Sequence, residues 1–453
     1  MDRRSFLELS ALSLAACALP RGGAVLQPPA RPVPTPAQLQ WHRDERAMFL
    51  HFGVNTFTNR EWGDGTESPS IFNPASLDAR QWARVARSSS FRAMILTAKH
   101  HDGFCLWPTK TTTHSVSSSP FRDGRADVVR EFVDACRAEG MRVGLYLSPW
   151  DRNHPAYGDS PRYNDVYVAQ LTELLTNYGA IAEVWFDGAN GEGPNGRRQV
   201  YDWPRFFGHV KRLQPEAVIF SDAGPDVRWC GNERGVAGDP NWATVDPSRV
   251  PYPGVDGPGI IDALQHGDPN GAVWRPAEVD VSIRPGWFNH PEESDRVRSV
   301  ENLVDLYFTS VGRNGKLLLN VPPTREGILH PTDVSRLAGM RDAFDHLFGH
   351  ELTSRSAHGE WRVTGARSAE LTVDLGRALD VRVVRLAEDI RHGQIVASYR
   401  VDGAGADGAW HELSRGTTIG HAKLDRVEGN VRRLRVTIDD AVAQPEPIEL
   451  KVY

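Results

Sequence analysis

The chain predicts an α/β fold: a (β/α)8, TIM-like barrel followed by a C-terminal β-sandwich. Three observations carry this. The 453 residues leave room for one large domain and one smaller one. From Gln40 to about Gly349, eight apolar strand-like runs alternate with helical patterns, the signature of parallel strands joined by crossover helices. Beyond a closing helix at Thr332 to Leu347 the period changes to two: Leu371, Val373 and Leu375, then Leu434, Val436 and Ile438, alternate with polar residues between Gly-rich turns such as Asp402 to Gly408.

In chain order, residues 1–26 read as an export label. Arg3 and Arg4 precede Ser5, Phe6 and Leu7, and a short apolar run ends at Leu14, Ala15, Ala16 and Cys17, so a twin-arginine signal is combined with a lipoprotein-type cleavage site. The expectation is an exported protein, periplasmic or held at the cell envelope through a lipidated Cys17. Residues 27–39, with Pro28, Pro29, Pro32, Pro34 and Pro36, read as an extended linker. The barrel is expected over 40–350 and the sandwich over 351–453.

Strands are expected at Ala47 to Val54, Ala93 to Lys99, Arg142 to Ser148, Ile181 to Asp187, Ala217 to Ser221, Val227 to Glu233, Glu278 to Ile283 and Lys316 to Val321. Helices fall at Leu77 to Ser89, Asp127 to Glu139, Tyr163 to Tyr178, Trp203 to Leu213 and Glu293 to Val311. In the second of these Asp127 can cap the N-terminus, Val128, Val129, Phe132, Val133 and Cys136 share a face, and Gly140 ends the helix. Ala237 to Ala277 has little helical pattern, so a crossover helix is expected to be missing there or replaced by loop.

The formal net charge of −6 argues against nucleic acid or an anionic membrane as the main partner. Cys105, Cys136 and Cys230 are too scattered for a disulfide framework or a zinc site. No phosphate-cradling GxxxxGK[ST] and no GxSxG nucleophile elbow is present.

Chemistry belongs where barrel strands end. Those ends are polar and aromatic: His51 and Asn55; Lys99, His100, His101 and Asp102; Tyr146, Trp150 and Asp151; Asp187; Asp222; Glu233. Few of these could be buried without partners, and together they describe a cleft. In IAEVWFDG, Ile181 to Gly188, Trp185 and Asp187 share a face. An aromatic plate beside a carboxylate suits a sugar ring with charge developing at its anomeric carbon, although a helix-capping Asp187 over a core Trp185 fits the strand alone equally well. Asp187 and Glu233 form the best acid and base pair. His51, His100 and His101 could ligate a metal, but adjacent His on an extended strand point opposite ways, and no HxH or HExxH spacing occurs. Neutral imidazoles equally suit sugar hydroxyls, each offering one donor and one acceptor.

HFGVNTFTNREWGDG (His51 to Gly65), TAKHHDGFCLWPTKTTTHSV (Thr97 to Val116), GLYLSPWD (Gly144 to Asp151), EVWFDGANG (Glu183 to Gly191), DVRWCGNERG (Asp226 to Gly235) and SIRPGWF (Ser282 to Phe288) together resemble the α-L-fucosidases of glycoside hydrolase family 29. They look most like the branch acting on α-1,3- and α-1,4-linked fucose. The last hundred residues resemble only generally the galactose-binding-like sandwich that follows such barrels. The resemblance implies a retaining exo-hydrolase that uses neither metal nor cofactor and takes a fucosylated oligosaccharide or glycan as substrate. It implies Asp187 as nucleophile, Glu233 as general acid/base, and a fucose pocket of His51, Glu61, Trp62, His100, His101, Tyr146, Trp185 and Trp287. Two positions depart from the pattern: Cys230 stands where a small aliphatic residue is expected, and Asn289 where an aromatic residue is expected at the rim of the site. Two other readings stay open at this point, a non-catalytic carbohydrate-binding lipoprotein and a metal-dependent barrel hydrolase centred on the three histidines.

Overall fold

A computed structural model describes residues 31–353 and 358–453. The expected export label, residues 1–26, and the start of the linker lie outside the described residues.

Eight parallel strands close into a barrel: β1 Arg46–Leu50, β2 Ala93–Lys99, β3 Arg142–Leu147, β4 Glu183–Trp185, β5 Val218–Ser221, β6 Val227–Trp229, β7 Ala277–Ser282 and β8 Lys316–Asn320. Around the ring the order is β1-β8-β7-β6-β5-β4-β3-β2. All eight expected runs are strands because each is apolar enough to be covered on both faces, by side chains within the barrel and helices outside it; β2 is buried along its whole length.

Among the described residues the longer helices are α1 Pro36–Asp44, α2 Ala79–Ser88, α3 Val128–Ala138, α4 Ser160–Asn177, α5 Trp203–Leu213, α6 Ile260–His266, α7 Val300–Thr309 and α8 Pro331–Phe348, and a single helical turn, Val54–Thr58, follows β1. At α3 the Asp127 carboxylate accepts the Arg130 N–H at 2.8 Å, the cap its position suggests. Two expectations need correction. The missing crossover helix is the one between β5 and β6, which only residues 222–226 join, whereas the stretch from 237 to 277 holds the short α6. The Pro-rich linker does not run to residue 39, because α1 begins at Pro36. Thr35 Oγ1 accepts the Gln38 N–H at 3.2 Å and Gln38 Oε1 accepts the Thr35 N–H at 2.9 Å, a reciprocal cap. Pro36, without an N–H, suits the first helical position. α1 lies against the barrel floor, its Gln38 Nε2 donating to the carbonyls of Asp226 (2.7 Å) and Trp274 (3.0 Å).

Six antiparallel strands follow: β9 His358–Val363, β10 Ala369–Ala387, β11 Val396–Ala404, β12 Trp410–Gly416, β13 Lys423–Ala441 and β14 Glu449–Val452. The order is β9-β10-β13-β11-β12, with β14 beside β10. The long β10 and β13 carry register shifts in their pairing, and side chains from both of their halves enter one apolar core, so the sheet folds over on itself as a sandwich does. This sheet is bonded to the barrel through buried polar groups. Gln394, fully buried, accepts the Ala243 N–H at 2.7 Å and donates to the Asn241 carbonyl at 3.1 Å. Arg385 meets Glu45 at 2.6 Å.

Candidate active site

The carboxyl ends of the strands surround a cleft of about 670 Å³. The ten residues that the family resemblance implies all line it: Asp187 and Glu233, with His51, Glu61, Trp62, His100, His101, Tyr146, Trp185 and Trp287. Asp187 leaves the end of β4, and its carboxylate is held by two donors. Oδ1 accepts the Ala189 N–H at 2.7 Å, Oδ2 accepts the Tyr146 hydroxyl at 3.0 Å, and His101 Nε2 stands 3.8 Å away. Gly188 is required next to it, since a Cβ there would sit 2.2 Å from Asp222 Oδ2.

Glu233 lies in the loop after β6 and faces the open cleft, where Trp287 Nε1 donates to Oε2 at 3.3 Å. Burial by the cleft walls raises its carboxyl above the usual range, the charges of Asp187 and Glu61 add to this, and the Trp287 N–H opposes it. One carboxylate with three polar neighbours and one carboxyl biased toward its protonated form is the division of labour that acid and base chemistry at neutral pH needs.

The imidazoles are held neutral and aimed. His51 is pushed down to about 3 by burial, with the Asn320 hydrogen bond opposing; His100 is lowered by burial and by the competing imidazoles beside it; His101 is lowered by burial, with Asp187 pulling the other way and Arg152 and Lys99 adding to the shift. Asn320 Nδ2 donates to Ser282 Oγ (2.9 Å) and the Trp287 carbonyl (2.8 Å), so its Oδ1 accepts from His51 Nδ1–H at 2.8 Å. Ser148 donates its proton to the Trp150 carbonyl at 2.8 Å and accepts from His101 Nδ1–H at 2.7 Å. Both rings therefore offer a bare Nε2 as acceptor. His100 and His101 do not point opposite ways: β2 ends at Lys99, the chain turns, and the two rings lie 4.0 Å apart in the same cleft. Among the described residues no group of three or more His, Cys, Asp or Glu side chains is arranged to hold a metal ion.

The loop after β7 closes one side. Glu61 accepts the backbone N–H groups of Trp287 and Phe288 and meets His290 Nε2 at 2.8 Å. His290 Nδ1 is in turn 3.0 Å from Asn59 Oδ1. His290, Glu293, Phe49 and Asp280 also line the cleft and carry no motif of their own. Asp280 was legible only as an inward position on an apolar strand. It accepts the Trp229 indole N–H at 2.8 Å, and burial, with the charge of Glu233, holds it well above the carboxylate range. Asn289 is not at the rim; it is buried beneath the loop, away from the cleft lining. Cys230 is buried as a small side chain, its thiol facing the Asn232 carbonyl at 3.1 Å.

Other polar strand-end residues support the site from behind. Lys99 Nζ bonds Asp151 (3.0 Å), Tyr163 (3.0 Å) and Gln170 (2.9 Å) in a fully buried knot. Asp102 accepts the Phe104 N–H at 2.7 Å, and Asp222 accepts the Gly254 N–H at 2.9 Å. Asn55, Lys99, Asp102, Trp150, Asp151 and Asp222 do not line the cleft.

The α-L-fucosidase family model matches residues 39–344, the whole barrel. Alpha-L-fucosidase 1 of Arabidopsis thaliana is 40% identical over 480 residues, covering 99% of this chain and 92% of that protein. Among solved structures, a glycoside hydrolase 29 family member from a rumen bacterium is similar at 41% identity with a TM-score of 0.86, over 94% of this chain and 78% of that one. A Ruminococcus gnavus GH29 fucosidase in complex with fucose is 31% identical with a TM-score of 0.83, over 94% and 96%. With the barrel, the cleft and the whole-length likeness in agreement, the chain belongs to the α-L-fucosidases of glycoside hydrolase family 29 and is a glycoside hydrolase.

Proposed function

We propose that this fucosidase is a retaining exo-enzyme that removes terminal α-1,3- or α-1,4-linked L-fucose from oligosaccharides or glycoconjugates by double displacement, Asp187 serving as nucleophile and Glu233 as acid/base. The observation that carries the reading is the contrast between two carboxyls in one cleft, Asp187 held by Ala189 and Tyr146 and Glu233 raised above its ordinary range. Asp187 attacks the anomeric carbon while Glu233 protonates the departing oxygen. Once Asp187 is esterified its charge is gone, and with it part of what keeps the proton on Glu233; Glu233 then takes a proton from water, which releases fucose with its configuration retained. The bare Nε2 atoms of His51 and His101 accept from ring hydroxyls, and Trp185 and Trp287 shelter the methyl group and apolar face of the deoxy sugar. The cleft volume falls in the range of about 300–1,000 Å³ typical of small-molecule sites and leaves space beyond one ring for a leaving sugar.

The test is fucose release, followed by proton NMR of the first-formed anomer, from an aryl α-L-fucoside and from α-1,2-, α-1,3- and α-1,4-fucosylated oligosaccharides. The expected result is α-fucose from the 1,3 and 1,4 linkages, with Asp187→Ala slower by on the order of 10³-fold or more. Appearance of β-fucose first would remove the retaining mechanism, and equal rates on the 1,2 linkage would remove the specificity.

Residues 1–26 support a second proposal, export and attachment of the enzyme at the cell envelope through a lipidated Cys17. In fractionated cells the wild type is expected with membranes and Cys17→Ala in the soluble fraction; equal partitioning of the two would refute the anchor.

A further inference from the structure

Strand β7 turns Glu278, Asp280 and Ser282 to one face, into the barrel. Asp280 and Ser282 reach the cleft and the loop above it. Glu278 lies deeper, fully buried, and takes no part in the chemistry described above. Its Oε1 accepts the Trp185 indole N–H at 3.0 Å and its Oε2 the Trp41 indole N–H at 3.1 Å. Lys316 Nζ is 3.2 Å from the same Oε2 and 2.7 Å from Glu183 Oε2. Burial and the charge of Glu183 push the Glu278 carboxyl upward, with Lys316 pulling the other way.

Trp185 is otherwise held by its faces. Phe220 stacks on it at 4.0 Å between centroids, and Phe49 and Tyr146 lie at 5.2 and 5.3 Å. Such contacts fix the plane of a ring but resist sliding and rotation within that plane only weakly. The N–H bond to Glu278 is directional, and a buried indole N–H left without an acceptor is costly. It therefore sets where the indole edge stands in the cleft. Removing Glu278 leaves Lys316 and Glu183 as a one-to-one pair, so the floor of the barrel stays electrically balanced.

We propose that Glu278 is a positioning residue for substrate binding, acting through the Trp185 indole N–H to fix the wall against which the sugar is seated. This rests on the reading of Trp185 as a wall of the fucose pocket.

The experiment is a double-mutant cycle of Glu278→Met and Trp185→Phe, reading KM and kcat separately on an aryl α-L-fucoside, with Trp41→Phe as a comparison. Each single change is expected to raise KM about tenfold with a smaller effect on kcat, and the double variant to match Trp185→Phe within about twofold, since phenylalanine has no N–H for Glu278 to hold. Trp41→Phe frees the same carboxyl from its other indole and is expected to leave KM within about twofold. Additive effects, an unchanged KM in Glu278→Met, or a KM in Trp41→Phe as high as in Glu278→Met would overturn the proposal. An unchanged KM in Trp185→Phe would instead remove the pocket reading beneath it. Should Glu278→Met not accumulate as folded protein, Glu278→Leu, which likewise offers the indole no acceptor, enters the same cycle with the same outcomes, and Glu278→Gln, which keeps one acceptor for the Trp185 N–H, is expected to bring KM back toward the wild-type value; a KM in Glu278→Gln as high as in Trp185→Phe would overturn the proposal.

Discussion

In the proposed mechanism Glu233 serves as acid/base because its surroundings disagree about its proton. Burial and the charges of Asp187 and Glu61 favour keeping it, and the Trp287 N–H favours losing it. The loss of activity at high pH is therefore movable in both directions. Trp287→Phe removes a donor to the charged form and is expected to shift the alkaline limb of kcat/KM upward in pH; Glu61→Gln removes a repelling charge and is expected to shift it downward. Profiles of kcat/KM against pH on an aryl fucoside check both signs, and a limb that neither change moves would mean that another group controls it. The residues of this site were legible in sequence where they stand in strand-end motifs, as His51, the His100–His101 pair, Trp185 and Asp187 do. His290 and Glu278 were not. A histidine in a loop and a glutamate within an apolar strand gain their meaning from Glu61 and Trp185, partners 229 and 93 residues away. The orientation of His100 and His101 was misread for a local reason: the two-residue period applies only as far as the strand, and β2 stops one residue short of them.

The eight strands were legible because barrel strands are buried on both faces and so spell continuous apolar runs. α1 was not, because the prolines before it signal extended chain and only the Thr35–Gln38 pair marks the change to helix. The C-terminal sheet was legible as alternation, but its relation to the barrel was not, since that depends on side chains such as Gln394, Arg385 and Asn314 meeting residues far along the chain. Asn314 accepts the His421 N–H at 2.7 Å and donates its own backbone N–H to the Ala422 carbonyl at 2.9 Å. Gln394 fixes the carbonyl of Asn241 and the N–H of Ala243, in the chain that runs on from Glu233. The sheet is thus a structural support of the barrel. Removing residues 351–453 uncovers these buried groups without replacing their partners, and the shortened chain is expected not to give a soluble, folded barrel by circular dichroism and gel filtration. A folded product with full activity on an aryl fucoside would refute that role.

Where barrel and sheet meet, two more histidines are kept neutral. His42 is fully enclosed, and its ring lies 5.2 Å from that of His421, which burial brings down to about 4. An unfolded histidine takes a proton near pH 6.5, so as pH falls from there toward 4 the unfolded chain binds protons that the folded one refuses, and stability drops. Arg385 and Arg43 add to the refusal, Glu45 and Glu449 oppose it, and the raised carboxyls Asp102 (about 7) and Asp222 (about 6) act in the opposite sense elsewhere in the barrel. The comparison that isolates the seam is His421→Gln, which is expected to lose less melting temperature between pH 7 and 5 than the wild type, by about 2 °C; parallel curves would exclude His421 as a source of acid sensitivity. The indole of α1 has a consequence of another kind, in time. Trp41 is made early, and the carboxyl that receives its N–H is made 237 residues later. At about 5–20 residues per second that interval is on the order of 10–50 s. Throughout it the nascent chain carries α1 without the seat that its indole takes in the finished barrel.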